Sequence, residues 1–199
     1  MVKADCGGCN GCSRCCHGMG KSIILDPYDV YRMTTGMGKS MQELLAASVE
    51  LNVVDGVILP NLKMQGAEEA CAYLDGEGRC SIHPYRPGIC RLFPLGRYYE
   101  NGGFSYFLQT GECAKENRSK IKVSKWIDTP DLTRNQQFTL QWHDLLHAME
   151  ERLTGEDEGK QQEENLLLLR LFYLLPYEGT TDFYSQFTER MEYWNEQIR

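Results

Sequence analysis

The sequence lacks any long apolar run. No stretch approaches the roughly 20 apolar residues that a helix needs to cross a bilayer, so no membrane span is predicted. The first residues, Met1–Asp5, contain no apolar core of the kind found in secretory leaders. We therefore expect a cytoplasmic protein in a reducing compartment, without a membrane partner.

Positive charge is also scarce. The net charge is −7, and residues 1–99 carry ten basic and ten acidic side chains, whereas residues 100–199 carry eleven and eighteen. Without a basic patch, nothing attracts a phosphate backbone, so nucleic acid is not an expected partner.

Three enzyme signatures are present only in part. The Gly-Met-Gly-Lys-Ser segments at 18–22 and 36–40 resemble the end of a phosphate-binding loop, but Cys15 and Met33 stand where that loop requires glycine. Met19 occupies the third cysteine position of the common radical-SAM pattern. Asp144 follows His143 where zinc proteases have glutamate. The phosphate loop and the common radical-SAM signature are therefore not supported, and His143 and His147 are better explained as a packed or solvated pair than as a metal half-site.

Cysteine is abundant. The chain has nine, and five lie in the run Cys6-Gly-Gly-Cys9-Asn-Gly-Cys12-Ser-Arg-Cys15-Cys16, which His17 follows. Glycine allows tight turns, so several sulfur atoms can converge on one point. An odd count in a reducing compartment argues against a disulfide framework. Converging thiolates select zinc, copper(I) or iron–sulfur clusters, so the run predicts a metal site.

The other four cysteines extend this pattern. Cys71, Cys80, Cys90 and Cys113 each stand near a turn or the end of a predicted element. Any one of them could simply be a buried thiol, because free cysteine packs well in protein cores. Burial is a poor explanation for all four together, which favours a shared role in metal binding.

The order of these motifs resembles a known family. The pattern is Cys9-x-x-Cys12-x-x-Cys15-Cys16, then Cys71-x-Tyr-Leu, Cys80-x-Ile and Arg86-Pro87-x-x-Cys90-Arg91-x-x-Pro94. Over residues 6–115 it is similar to the YkgJ-like cysteine-cluster (CxxCxxCC) family of zinc- or iron-chelating domains. The resemblance implies metal binding, with these ligand candidates: Cys9, Cys12, Cys15, Cys16, Cys71, Cys80, Cys90 and Cys113. Two departures are Cys6, one step upstream of the family run, and His83, where members often have tyrosine.

The cysteine spacing bears on which metal is bound. Structural zinc typically uses four ligands from two paired knuckles, whereas this chain has one crowded run followed by single cysteines. Cys6-x₂-Cys9-x₂-Cys12-x₃-Cys16 matches a bacterial ferredoxin run, with His17 in place of proline. We therefore expect an iron–sulfur cluster, of the 4Fe–4S type, in an accessory redox protein or a cluster-dependent methyl transferase. The alternative is a structural zinc module that acts as an adaptor for a protein partner.

The resemblance also suggests a cofactor. Flagellin lysine N-methylase carries a similar cysteine domain and looks like a cluster-dependent methyl transferase, which makes S-adenosylmethionine a candidate cofactor. Arg86 and Arg91 flank Cys90 and are the candidate cofactor-binding residues. Their guanidinium groups could balance an anionic thiolate site, or bind a carboxylate of a substrate or cofactor. The substrate, protein or small molecule, and the question of whether the protein is an enzyme stay open.

Local signals predict an α+β fold. Asp26-Pro27 and Ser40-x-x-Glu43 start two helices, of which the first should stop at Gly36. Turns at Asp55-Gly56, Gly76–Gly78 and Asn101–Gly103 predict three hairpins. Apolar periodicity predicts three further helices. The first runs from Asp131 to Leu153, the second ends at Leu175, and the third runs from Thr181 or Asp182 to Ile198. We expect a loop-rich metal-binding body at 1–115 and an all-helical C-terminal subdomain at 116–199 packed on it.

Overall fold

The computed structural model describes residues 1–5, 7, 12–115 and 117–198. Cys6 and Cys9 lie outside this range, so the ferredoxin-like spacing has no structural counterpart in the described residues.

The fold is α+β, as expected. The described strands are β1 (Val2–Asp5), β2 (Val49–Val54), β3 (Val57–Leu62), β4 (Met64–Gln65), β5 (Ala70–Cys71), β6 (Leu95–Glu100), β7 (Gly103–Leu108) and β8 (Ser119–Ile121). The described helices are α1 (Pro27–Met37), α2 (Met41–Ala47), α3 (Gly88–Leu92), α4 (Val123–Ile127), α5 (Leu132–Leu153), α6 (Glu158–Leu169) and α7 (Phe183–Gln197).

Reciprocal hydrogen bonds begin α1. The side chain of Asp26 accepts from the backbone N–H of Asp29 at 2.8 Å, and the side chain of Asp29 accepts from the N–H of Asp26 at 3.3 Å. Pro27 supplies the fixed φ of the first turn. The helix ends at Met37, where Gly38 adopts a left-handed φ of 64°. The expected stop at Gly36 is therefore early, because the residue with the left-handed conformation is the next glycine.

The strands form four antiparallel pairs in the described residues. Asp55 and Asn101 each take a positive φ, of 50° and 51°, and each is followed by a glycine with positive φ, Gly56 and Gly102. Two successive positive φ values match the twist of a two-residue hairpin, so β2–β3 and β6–β7 form where the sequence predicts them.

The pairing around the cysteines differs from the prediction. Cys71 pairs with Met64 in the short β4–β5 ladder. The expected hairpin around Gly76–Gly78 is reduced to one bridge, between Leu74 and Cys80. The β1–β8 pair, which joins Val2 to Ile121, was not predicted at all. Strand β8 also lies inside the range predicted to be all-helical, and the described helices resume at Val123.

A π-helical turn at Arg170–Leu174 continues α6. Buried Arg190 of α7 donates to the carbonyl oxygens of Leu171 at 2.8 Å, Leu175 at 3.0 Å and Pro176 at 2.8 Å. One guanidinium thus satisfies carbonyl groups that a widened, ending helix leaves without intrahelical partners.

One hydrophobic core joins the two halves of the chain. It combines α1, α2 and the β2–β3 hairpin with α5, α6 and α7. The ring of Tyr28 packs against that of Phe138, with 6.2 Å between centroids. The hydroxyl of Tyr173 donates to the carbonyl of Leu25 at 3.0 Å. A smaller cluster of Leu92, Leu95 and Ile127 lies beside α3. The division into 1–115 and 116–199 stays a prediction.

Within the described part of the chain, none of the helices has the length and apolar character that crossing a membrane requires.

Candidate metal centre

One cavity of about 1240 Å³ collects most of the described cysteines. The segment around a 3₁₀ turn, Arg14–Cys16, supplies three of them, and the chain between β5 and α3 supplies the others. All of them are free thiols. The cysteines that line the cavity are Cys12, Cys15, Cys16, Cys71, Cys80 and Cys90.

Backbone bridges bring the N-terminal cysteines to Cys71. His17 forms an isolated antiparallel bridge with Ala70, the residue before Cys71. The N–H of Gly18 donates to the carbonyl of Glu69 at 3.0 Å. These bonds span about 50 residues of sequence, so they fix a contact that spacing rules could not predict.

A turn closed by hydrogen bonds to the side chain of Asp75 positions Cys80. The carboxylate of Asp75 accepts from the backbone N–H groups of Glu77 at 3.0 Å and Arg79 at 2.8 Å. The backbone N–H of Asp75 donates to the carbonyl of Arg79 at 2.9 Å. Aspartate commonly stabilises turns in this way, and here the turn directs the chain so that Cys80 reaches the cavity.

Cys90 depends on α3, a helix of five residues whose N-cap, Pro87, provides no side-chain hydrogen bond. The missing cap comes from α1: the carboxylate of Asp29 accepts from the N–H of Gly88 at 2.6 Å. The guanidinium of Arg91 lies 4.0 Å from the same carboxylate and is 5% exposed. Asp29 therefore anchors both ends of the short segment that carries Cys90.

Burial and mutual repulsion act on the two carboxyl groups at the start of α1. Burial raises the pKa of Asp26, and burial together with the charge of Asp26 raises the pKa of Asp29 to about 8. The positive charge of Arg91 opposes both shifts but does not overcome burial. Asp29 can accept from Gly88 in either protonation state, so the cap does not require a charged carboxylate.

The adjacent thiols of Cys15 and Cys16 interact directly. A hydrogen bond with Cys16 lowers the pKa of Cys15 to about 6, and the charge of Arg86 acts in the same direction. The same hydrogen bond raises the pKa of Cys16. The pair therefore favours one thiolate and one thiol near neutral pH. Because the thiolate is the form of cysteine that binds metal, Cys15 can form a metal bond without first losing a proton.

Burial raises the pKa of the other cavity thiols, Cys71, Cys80 and Cys90. For Cys90 the carboxyl group of Asp29, when ionised, raises the pKa further. These groups hold their protons at neutral pH, and a metal that binds them must displace those protons. Burial also lowers the pKa of His83, another residue of the cavity wall, and the charge of Arg86 lowers it further.

The predicted site residues divide by position. Arg86 lines the cavity and contacts His83, whereas Arg91 is buried behind it against Asp29 and Tyr28. Cys113 is not part of the cavity wall, although its neighbours Gly111 and Glu112 are. Cys9 lies outside the described residues.

Several wall residues were missed by sequence reasoning. Phe93, an unspecified position of the Arg86–Pro94 motif, lines the cavity together with Gln109 and Trp126, which belong to no cysteine motif. The indole N–H of Trp126 donates to the carbonyls of Leu92 and Phe93, each at 3.2 Å. A lone aromatic residue far from the cysteines gives no signal of its own, so only the three-dimensional structure identifies it.

The cysteines share a cavity but are not gathered around a single point. In the described ranges, no three His, Cys, Asp or Glu side chains are arranged so that they could hold one metal ion. The donor set nevertheless suits a soft metal, because six thiols and the imidazoles of His17 and His83 face one space.

The thiol-lined cavity provides the soft donors that chelation of zinc or iron would use. The chain belongs to the CxxCxxCC family, whose description reads "Putative zinc- or iron-chelating domain" and whose model matches residues 8–124. No curated protein and no solved structure matches the chain. Zinc or iron chelation is the function that the family supports, and the relation to flagellin lysine N-methylase stays a prediction.

Proposed function

We propose that the protein binds an iron–sulfur cluster in the cysteine-lined cavity. The single observation that carries the proposal is that six free thiols from two separate segments of the sequence line one cavity. Cys9 and Cys113 stay in the proposed ligand set as predictions from the family pattern. A cluster held by these thiols supplies one-electron chemistry, which fits an accessory redox role.

The number and arrangement of the thiols favour a cluster over a single ion. Tetrahedral zinc uses four ligands at about 2.3 Å, which brings their sulfur atoms close together. Six thiols exceed that number, and no three of the described donors form such a group. A cluster presents several iron atoms, so its ligands can stand further apart around a wider space.

Charge at the cavity wall supports the same proposal. The guanidinium of Arg86 acts on the thiols of Cys15 and Cys80. Positive charge and hydrogen bonds near ligating sulfur atoms stabilise an anionic cluster and tune its potential. Buried Arg91 stands next to Cys90 in sequence and contributes to the position of α3.

The test is anaerobic purification followed by iron, acid-labile sulfide and zinc determination. We expect a brown protein with iron and sulfide in equal amounts and little zinc. The Cys90→Ser variant should lose most of the iron, and the Cys113→Ser variant should lose less, because Cys113 does not line the cavity. Stoichiometric zinc without sulfide would refute the cluster and leave the family's chelating function intact.

A structural zinc site is the second candidate. Its supporting observation is that His17 and His83 line the cavity beside the cysteines, because mixed cysteine and histidine sets are typical of structural zinc. In this case the protein would be a colourless adaptor for a protein partner. Replacing both histidines with glutamine should then lower the zinc content, whereas it should leave the iron content of a cysteine-ligated cluster unchanged.

Methyl transfer is a finer hypothesis within the same proposal. It rests on the resemblance to flagellin lysine N-methylase, and the cavity has room for a small molecule beside the metal. Calorimetric titration of the metal-loaded protein with S-adenosylmethionine tests it. Saturable binding supports a methyl transferase, and the absence of binding removes that hypothesis without affecting the metal site.

A further inference from the structure

The cavity is larger than metal binding requires. Ligand pockets that enclose drug-sized molecules usually measure roughly 300–1,000 Å³ and have mainly apolar walls with a few polar groups. This cavity measures about 1240 Å³. A metal centre at the thiols therefore leaves enough space for an organic molecule.

Part of the wall carries no metal-binding side chain. Ile89, Phe93, Leu95 and Trp126 line this part with apolar and aromatic surface. The two hydrogen bonds of the Trp126 indole hold its ring against the end of α3. Ile89 is 40% exposed although it faces a cavity, so it offers apolar surface that the folded chain leaves open.

Charged side chains of the wall favour an anion. Three arginines, Arg14, Arg79 and Arg86, face the cavity together with only two glutamates, Glu68 and Glu112. Guanidinium groups therefore outnumber carboxylates on the wall, and the thiolate of Cys15 adds one further negative charge. A guanidinium can bind an anion directly through its N–H groups, so the arginines are the groups of this wall that suit an anionic ligand.

Arg86 is the arginine best placed to bind such a ligand. It is half-buried, and its one hydrogen-bond partner among the described residues is His83 rather than a carboxylate. A guanidinium has five N–H donors in a planar fork, so most of them remain for a ligand. Arg91, in contrast, lies against Asp29 and Tyr28 behind the wall.

We propose that this cavity binds a small organic carboxylate, with its carboxylate on Arg86 and its apolar body against Ile89, Phe93, Leu95 and Trp126. The proposal deepens the proposed function, because it assigns a ligand class to the space beside the metal. Since Arg86 lines the same cavity as Cys15 and Cys80, the bound carboxylate lies in the space beside the metal centre.

Calorimetry on the metal-loaded full chain tests this with sodium octanoate and octylammonium chloride as probes. Octanoate should bind saturably with one molecule per chain, and octylammonium should not. In the series butanoate, hexanoate and octanoate, affinity should rise by about fourfold per methylene group. Equal binding of both eight-carbon probes, or affinity independent of chain length, would overturn the proposal.

Variants separate the two parts of the ligand. Arg86→Gln should weaken octanoate binding by about tenfold or more, because it removes a charge-assisted hydrogen bond. Arg170→Gln is the matched control, since Arg170 is exposed and does not line the cavity. Ile89→Ala should weaken octanoate more than butanoate. Unchanged octanoate affinity in Arg86→Gln would refute the assignment.

Metal content measured on each variant distinguishes this proposal from the proposed function. If Arg86→Gln loses metal and octanoate binding in parallel, Arg86 serves the metal centre and the ligand proposal fails. If the wild type carries zinc yet binds octanoate through Arg86, the cluster proposal fails and the ligand site stands. If the cluster is present and no carboxylate binds, the ligand proposal fails and the cluster proposal stands.

Discussion

At the scale of single residues, Asp29 connects the hydrophobic core to the cavity. It closes the capping box of α1, accepts from the first amide of α3 and lies beside the buried guanidinium of Arg91. A helix of five residues cannot maintain itself without such support, because helix formation has a costly first turn. The position of Cys90 therefore depends on a carboxyl group 61 positions earlier in the chain.

The pKa of Asp29 makes this anchor sensitive to pH. Its folded value of about 8 lies above the roughly 3.9 of an unfolded chain, so its contribution to stability is complete below about pH 4 and is lost as the pH approaches 8. The Asp29→Asn variant lacks this titration. The free energy of unfolding of the wild type minus that of the variant, measured in urea titrations, should decrease as the pH rises from 4 to 8. Asp55→Asn, in an exposed turn, is the control, and a constant difference for Asp29→Asn would contradict the prediction.

The sequence identified the six cysteines that line the cavity but could not rank the arginines. Arg86 and Arg91 flank Cys90 in the same motif, and both seemed equally close to a metal. The structure separates them: Arg91 lies on α3 and is buried against Asp29 of α1, whereas Arg86 precedes α3 and lines the cavity. Which side of a one-turn helix is covered depends on long-range packing, which motif spacing does not encode.

At the scale of elements, Asn165 joins α6 to the turn of the β2–β3 hairpin. Its side-chain oxygen accepts from the N–H of Ile58 at 2.6 Å, and its amide donates to the carbonyl of Gly56 at 3.2 Å. Asn165 is 4% exposed. One buried amide thus bonds both a donor and an acceptor of the hairpin and ties its turn to α6.

Removing that amide should be costly. Asn165→Ala removes two hydrogen bonds to partly exposed backbone groups, each with a net contribution of about 0.5–1.5 kcal/mol, so we expect a loss of about 1–3 kcal/mol in the free energy of unfolding. Urea denaturation provides the measurement. Asn195→Ala, at an exposed position of α7, is the matched control and should change stability little. A loss no larger than that of the control would show that the contact does not stabilise the hairpin.

Elements with local signals were predictable, and those formed by distant contacts were not. The caps at Asp26, Ser40 and Asp182 and the turns at Asp55 and Asn101 depend on neighbouring residues, and the structure contains each of them. The β1–β8 ladder joins segments more than 110 residues apart, and neither strand has a distinctive pattern. The bridge between His17 and Ala70, which brings the N-terminal cysteines to Cys71, likewise joins distant segments.

At the scale of the whole molecule, support for the cavity is uneven. Cys71, Cys80 and Cys90 pack at the edge of the main core, whereas the chain between β3 and β6 contains only short elements. Ligands from distant segments close such a region when they bind one metal centre. We therefore expect the metal to stabilise the cavity wall more than the helices.

Metal removal tests this expectation. After treatment with a chelator, amide hydrogen exchange should accelerate in residues 63–95, while the buried face of α5 keeps its protection because its core contacts involve no metal ligand. Comparing the metal-loaded and chelated protein by mass spectrometry gives the measurement, with α5 as the internal control. Equal protection of residues 63–95 in both forms would mean that the fold is complete without metal.

The shared core makes a prediction about the two halves. A fragment ending at residue 130 would expose core residues that contact the later segments, such as Tyr28, which packs against Phe138 of α5, and Leu25, whose carbonyl accepts from Tyr173 in the π-helical turn. We expect this fragment to lack the cooperative thermal transition of the full chain. A cooperative transition in the fragment, followed by circular dichroism, would instead support 1–115 as an independent domain.

The π-helical turn after α6 limits how the length of this chain can vary. Deleting one residue at Arg170–Leu174 would convert the turn to ordinary α-helix and rotate all that follows by about 100°. Tyr173 and the carbonyls held by Arg190 could not then keep their present partners together. Insertions and deletions among homologues should therefore avoid this turn and collect in the exposed connection between α5 and α6.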